Sequence, residues 1–192
     1  MKPGSALLLP LAGLGMLAGC GQYAKPESHQ DSTKGQAELP LPSLDRLIRF
    51  SDPKECEFTE PMNRLLESLI HSNADYTISA GKPAIPPEFA AAFGKPTSTT
   101  ARDHLLTVTV PVRGTWKGLR VTSVGSSAMP ESDYGWDTIR FAAPRQSVMQ
   151  RLNEAGMALP LSGKRRHADP ENPMELSAEV TVDKGETVLG CS

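Results

Sequence analysis

Apolar residues recur at helical spacing early in this chain and alternate later. Met62, Leu65, Leu66, Leu69 and Ile70 repeat at three- and four-residue steps. With Thr59 available as N-cap and Pro61 in the first turn, this spacing predicts an amphipathic helix over residues 59–73. Asn63, Arg64, Glu67 and His71 then fall on its other faces. Residues 43–50 are too short for periodicity to separate a helix from an edge strand. Residues 76–103 read as a Pro- and Thr-rich loop, interrupted by one short helix between Pro87 and Gly94.

From Leu105 the period becomes two. Leu106, Val108, Val110 and Val112 alternate with Thr107, Thr109, Pro111 and Arg113, the pattern of a half-buried strand. Pro111, having no N–H, predicts an edge or an outward-facing position. Residues 114–118 form a connection, 119–124 a returning strand and 136–141 a third strand. Pro144 opens a second helix, with Val148, Leu152 and Ala155 on one face and Gly156 as its stop. A polar loop over 159–173 precedes a hairpin, 176–182 and 186–191, turning at Asp183-Lys184-Gly185. The expected fold is therefore α+β: a mostly antiparallel sheet of about five strands with two main helices on one face.

Composition narrows the class. The 192 residues carry 20 Lys+Arg against 22 Asp+Glu, a net charge of -2, and 39% are hydrophobic. This is too neutral for a dedicated nucleic-acid binder and too apolar for a wholly disordered chain. Residues 41–192 are of single-domain size and long enough to bury a sizeable core.

The first residues give an address. Met1 and Lys2 precede a short apolar run over 6–17, which closes with Leu17-Ala18-Gly19-Cys20. A run of this length reads as a secretory signal and not as a spanning helix. The four-residue close is similar to a lipobox, and the chain resembles a bacterial lipoprotein precursor. That resemblance implies cleavage after Gly19, with diacylglycerylation and N-acylation of Cys20. Residues 1–19 are then the signal peptide and Cys20 the membrane anchor, since two or more acyl chains hold stably. By analogy with lipoprotein sorting, the same resemblance implies that Gly21, in place of Asp, directs the chain to the periplasmic face of the outer membrane over the inner membrane. Residues 20–40, nearly free of large apolar side chains, make a flexible tether with a reach of roughly 25 Å.

Cys56 and Cys191 remain, and an oxidising periplasm makes them natural partners for one disulfide. Without a Cys-x-x-Cys pair, thiol oxidoreductase chemistry and a cysteine zinc site are excluded. Enzyme signatures fail as well: there is no Gly-x-Ser-x-Gly, His-Glu-x-x-His or phosphate-binding glycine loop. Ser51-Asp52-Pro53-Lys54 fits Ser-x-x-Lys, but Pro53 opposes the helical turn that this pair requires. His29, His71, His104 and His167 are scattered. The carboxylates Asp169, Glu171 and Glu175, like Glu131, Asp133 and Asp137, lack calcium-loop spacing. No catalytic residue, metal or cofactor is assigned, and the chain is read as a non-enzyme.

Two features suit recognition. Lys164, Arg165, Arg166 and His167 concentrate positive charge, Glu131 and Asp133 add acid, and Tyr134, Trp136 and Trp116 lie in or beside turns in a chain that is only 5% aromatic. In general build the chain is similar to periplasmic inhibitor and immunity lipoproteins. That likeness implies a protein partner, namely a secreted antibacterial toxin or a cell-wall hydrolase, with membrane attachment through the lipid and no nucleic acid. The alternatives are a structural or assembly lipoprotein of an envelope or secretion complex, and an enzyme that assembles distant groups such as His104, Asp137 or Glu175.

Overall fold

A computed structural model describes residues 40–130, 135–167 and 176–192. The signal peptide, Cys20 and the tether up to residue 39 lie outside the described residues. Strands β1 (Phe50–Asp52) and β2 (Glu57–Phe58) pair as a small ribbon and are followed by helix α1 (Glu60–Glu67). Next come β3 (Ile70–Ser72) and β4 (Ile78–Ala80), a separate antiparallel hairpin, and a 3-10 helix over Pro87–Ala92. Strands β5 (Thr97–Thr100), β6 (Leu106–Trp116), β7 (Leu119–Ala128) and β8 (Gly135–Phe141) run as an antiparallel meander. Helix α2 (Arg145–Glu154) then leads to β9 (Lys164–Arg166), β10 (Leu176–Asp183) and β11 (Glu186–Cys191). Strand β11 returns to pair with β8, so one seven-stranded antiparallel sheet has the order β5-β6-β7-β8-β11-β10-β9.

The expected α+β class with about five strands is corrected by this architecture. Strand accounts for 44% of the described residues and helix for 17%, with only two helices of seven residues or more. The fold is mostly β. Helical periodicity over residues 59–73 overruns the helix because Leu69 and Ile70 are apolar for another reason. Helix α1 stops at Glu67, and the Ser68 hydroxyl donates to Leu65 O (2.6 Å) while accepting the Ala84 N–H (2.8 Å). Gly81 N–H donates to Leu69 O (2.7 Å), which turns residues 70–72 into a strand against 78–80. The loop expected over 76–103 thus contains β4 and β5. That expected over 159–173 contains β9, which holds part of the basic run.

Strand β6 extends through the expected connection to Trp116. The reversal is a two-residue turn, Lys117 (φ 46°) and Gly118 (φ 79°), whose positive φ angles match the twist of a tight hairpin. Lys184 (φ 51°) and Gly185 (φ 83°) turn β10 into β11 in the same way. Pro111 lies inside β6, not on an edge strand. Its carbonyl accepts from Gly94 N–H (2.8 Å), so its missing N–H faces the side on which β5 has already ended.

One sheet face forms the core. Leu106, Val108, Val110, Val112 and Trp116 of β6 are buried, whereas Pro111 and Arg113 are exposed. Residues 42–58 close over this face. Leu44 N–H donates to Thr115 O (2.7 Å), Leu44 seats on Gly114 and the Trp116 indole donates to Ile48 O (2.8 Å). Phe50 stacks on Phe58 (4.8 Å between centroids) and meets Trp116 edge-on (6.3 Å). The Cys56–Cys191 disulfide then joins this segment to the last strand across 135 residues.

A crosslink that closes so long a loop restricts the unfolded chain strongly. The double variant Cys56→Ser/Cys191→Ser should lose about 2–5 kcal/mol in urea unfolding under otherwise identical conditions. A loss below about 1 kcal/mol would mean that the segment holds to the sheet without the bridge.

Candidate functional site

The disulfide sits beside a cleft of about 380 Å³. Its walls come from five places: the β1–β2 turn with β2, helix α1, the end of β7, the start of β8 and the end of β11. Among the described residues four carboxylates line it, Glu55, Glu57, Glu67 and Asp137, and no Lys or Arg does. Phe58, Leu66 and Trp136 supply apolar surface between them, and Asn63, Ser126 and Ser127 supply hydrogen-bonding groups.

Trp136 is positioned by a missing side chain. Its indole lies over Gly190 of the neighbouring strand, where any Cβ would collide with the ring nitrogen. Asp137 is the next residue along β8, cross-strand from Ser126 on β7 and Cys191 on β11. Burial pushes its carboxyl up to about 6, the Ser126 side-chain hydrogen bond opposes that rise, and the like charge of Glu67 adds to it. The cleft therefore gains a negative charge as pH passes through the range around 6.

The sequence-predicted residues divide. Trp136 lines the cleft, and so does Asp137, a neighbour in sequence of the acidic turn. Glu131, Asp133 and Tyr134 lie outside the described residues, as do His29, Asp169, Glu171 and Glu175. The basic run does not form a free loop. Lys164–Arg166 is an edge strand on β10, with Lys164 Nζ 2.7 Å from Glu179 Oε1. Arg165 Nη1 donates to the Met157 and Ala158 carbonyls (both 3.4 Å), and its buried Nε has no partner among the described residues. Arg166 is also engaged. His167 Nδ1 lies 3.0 Å from Glu55 Oε2, so the run ends at the cleft wall.

Other candidates stay apart. Ser51 donates to the Glu57 and Phe58 carbonyls (3.4 and 3.1 Å), while Asp52 accepts from the Lys54 and Glu55 N–H groups. The Ser-x-x-Lys match is thus a strand and a turn, not a helical pair. His71 and His104 are exposed, His104 in a turn at φ 65°. Among the described residues no three His, Cys, Asp or Glu side chains gather as a metal site. Sequence reasoning misses Glu55, Glu57 and Glu67 as site residues. A signal for them exists, because the expected disulfide draws the neighbours of Cys56 to the end of the last strand.

No protein-family model matches this chain, and no curated protein or solved structure matches it either.

Asp137 has a stability consequence with a definite sign. Its folded pKa is raised, so its charged form opposes folding, and stability falls as pH rises from about 4 through about 6. Asp137→Asn should remove that fall, up to about 3 kcal/mol, and be the more stable form at pH 7.5. Urea unfolding between pH 4 and 8 checks this, and equal slopes in both proteins would refute it. Gly190→Ala should expel the indole from the cleft, read as a red shift of Trp136 emission in a Trp116→Phe background.

Proposed function

We propose that this chain is a lipid-anchored periplasmic binding protein of the inhibitor or immunity kind. In this reading it neutralises a secreted antibacterial toxin or cell-wall hydrolase. The observation that carries the reading is the cleft: four carboxylates around a tryptophan, with no Lys or Arg among the described residues that line it. Such a surface favours a basic segment of a protein, because the charges steer encounter and the indole supplies a contact anchor. The lipobox-like Leu17-Ala18-Gly19-Cys20 supports placement at the outer membrane, and the tether lets the domain meet soluble partners.

A second reading has one specific observation behind it. Asp137 is raised to about 6 with the like charge of Glu67 contributing, and a carboxyl that titrates nearer neutral pH than usual in a cleft with a second carboxylate suits general acid–base hydrolysis. In that reading the chain is itself an envelope hydrolase, with Asp137 as the acid.

Both readings meet one experiment. The mature, disulfide-intact protein is incubated with the secreted and periplasmic proteins of its own and competing strains, and with purified peptidoglycan. The binding reading expects capture of one basic secreted protein and loss of that protein's activity. It also expects capture to fall at least tenfold between 50 and 300 mM salt and in Glu67→Gln/Asp137→Asn. Capture of a resident envelope complex instead moves the assignment to an assembly lipoprotein. Peptidoglycan cleavage abolished by Asp137→Asn moves it to the hydrolase.

A further inference from the structure

The β3–β4 hairpin presents one aromatic side chain in an unusual way. Tyr76 is 73% exposed, and its φ of 62° lies in the left-handed region that a bulky residue rarely adopts. A glycine or asparagine would occupy this position with less strain. The tip is nonetheless stiff. Asn73 N–H donates to Thr77 O (2.8 Å), Tyr76 N–H to Asn73 O (3.1 Å) and Asn73 Nδ2 to Thr77 Oγ1 (2.9 Å). Both the N–H and the hydroxyl of Thr77 donate to Asp75 Oδ1 (3.2 and 2.6 Å), which holds the Asp75 carboxyl below its ordinary range.

The base of the hairpin is fixed as firmly. Gly81 N–H bonds Leu69 O, and a Cβ at 81 would run into Ser68 O and the His71 ring. Ile70 and Ile78 pack against the core, while residues 71–77 are all exposed. The hairpin thus stands on the core by Ile70 of its first pair and Ile78 of its last, and holds its tip in water. A strained turn, held by these bonds, that lifts a phenol ring into solvent gains nothing for folding from that ring. It does lower the ordering cost of placing that ring in a partner, since the backbone is already set and tyrosine has few rotatable bonds.

We infer that the Tyr76 hairpin is a preformed docking finger that inserts its phenol ring into a pocket of a protein partner. The pocket it fits has apolar walls for one ring and a hydrogen-bonding group at its floor for the hydroxyl. Its rim is neutral or basic, because the finger has Asp75 beside the ring and no Lys or Arg between Arg64 and Lys82. The inference rests on the chain being a binding protein, but it does not depend on the acidic cleft being the contact site.

The test places a photo-crosslinking amino acid at Ala74 in the full chain, expressed in the cells that make it. One discrete protein adduct is expected, weakened in Tyr76→Phe, which leaves the pocket floor unpaired, and reduced at least tenfold in Tyr76→Ala. Tyr76→Gly should melt at the same temperature as the parent or higher. An adduct indifferent to Tyr76, or a melting temperature several degrees lower in Tyr76→Gly, would overturn the finger. No adduct at Ala74, with capture of a secreted protein still intact, would remove the finger and leave the binding reading standing. Loss of both would remove both.

Discussion

The packing of residues 42–58 onto one face of the sheet is what holds the rest of this structure in place. Leu44, Leu47, Ile48 and Phe58 of this segment are buried in one core with Trp116, Phe141 and the inward side chains of β6, to which the short helices α1 and α2 add their own apolar faces. Trp116 organises the contact. Its ring stands 5.9 Å from Phe141 and 6.3 Å from Phe50, while its N–H satisfies the Ile48 carbonyl at 2.8 Å. A buried indole with its one polar group paired combines a large apolar contact with a directional bond. The segment is thereby held at one end by Leu44 and Trp116 and at the other by the Cys56–Cys191 bridge.

The same packing builds the cleft. Cys56 (φ 58°) sits in the turn between β1 and β2, and its bond to Cys191 sets Glu55 and Glu57 opposite the start of β8. Residues distant in sequence come together there: His167 meets Glu55 across 112 positions and the Ser177 hydroxyl donates to Lys54 O. The acidic character of the site is a product of the crosslink and of the strand order β8-β11-β10-β9, and no contiguous run of carboxylates encodes it.

Legibility in the sequence follows the physics of each element. Strict alternation locates β6, and the Asp183-Lys184-Gly185 turn locates the last hairpin, because period two and a Lys-Gly turn are local properties. The disulfide is legible because only two cysteines follow Cys20, and the structure pairs them. Helix α1 is overextended by its pattern, since Leu69 and Ile70 continue the apolar spacing for tertiary reasons. Strands of three or four residues, such as β4, β5 and β9, carry too little pattern to be read, and without them a mostly-β chain looks α+β. Of the candidate site, Trp136 and Asp137 are visible as residues. The glutamates are not, because their meeting depends on closure over the sheet. Lys164–His167 looks like a free basic loop because its partners Glu179 and Glu55 are supplied by other parts of the fold.

Whether the crosslinked 42–58 segment makes the cleft is tested most directly by hydrogen exchange of the oxidised protein against its Cys56→Ser/Cys191→Ser variant. Protection should fall at residues 50–58 and at the end of β11, while the β6–β7 ladder keeps its protection. Unchanged exchange at residues 50–58 would show that the bridge does not hold the segment, and that the cleft owes its shape to something else.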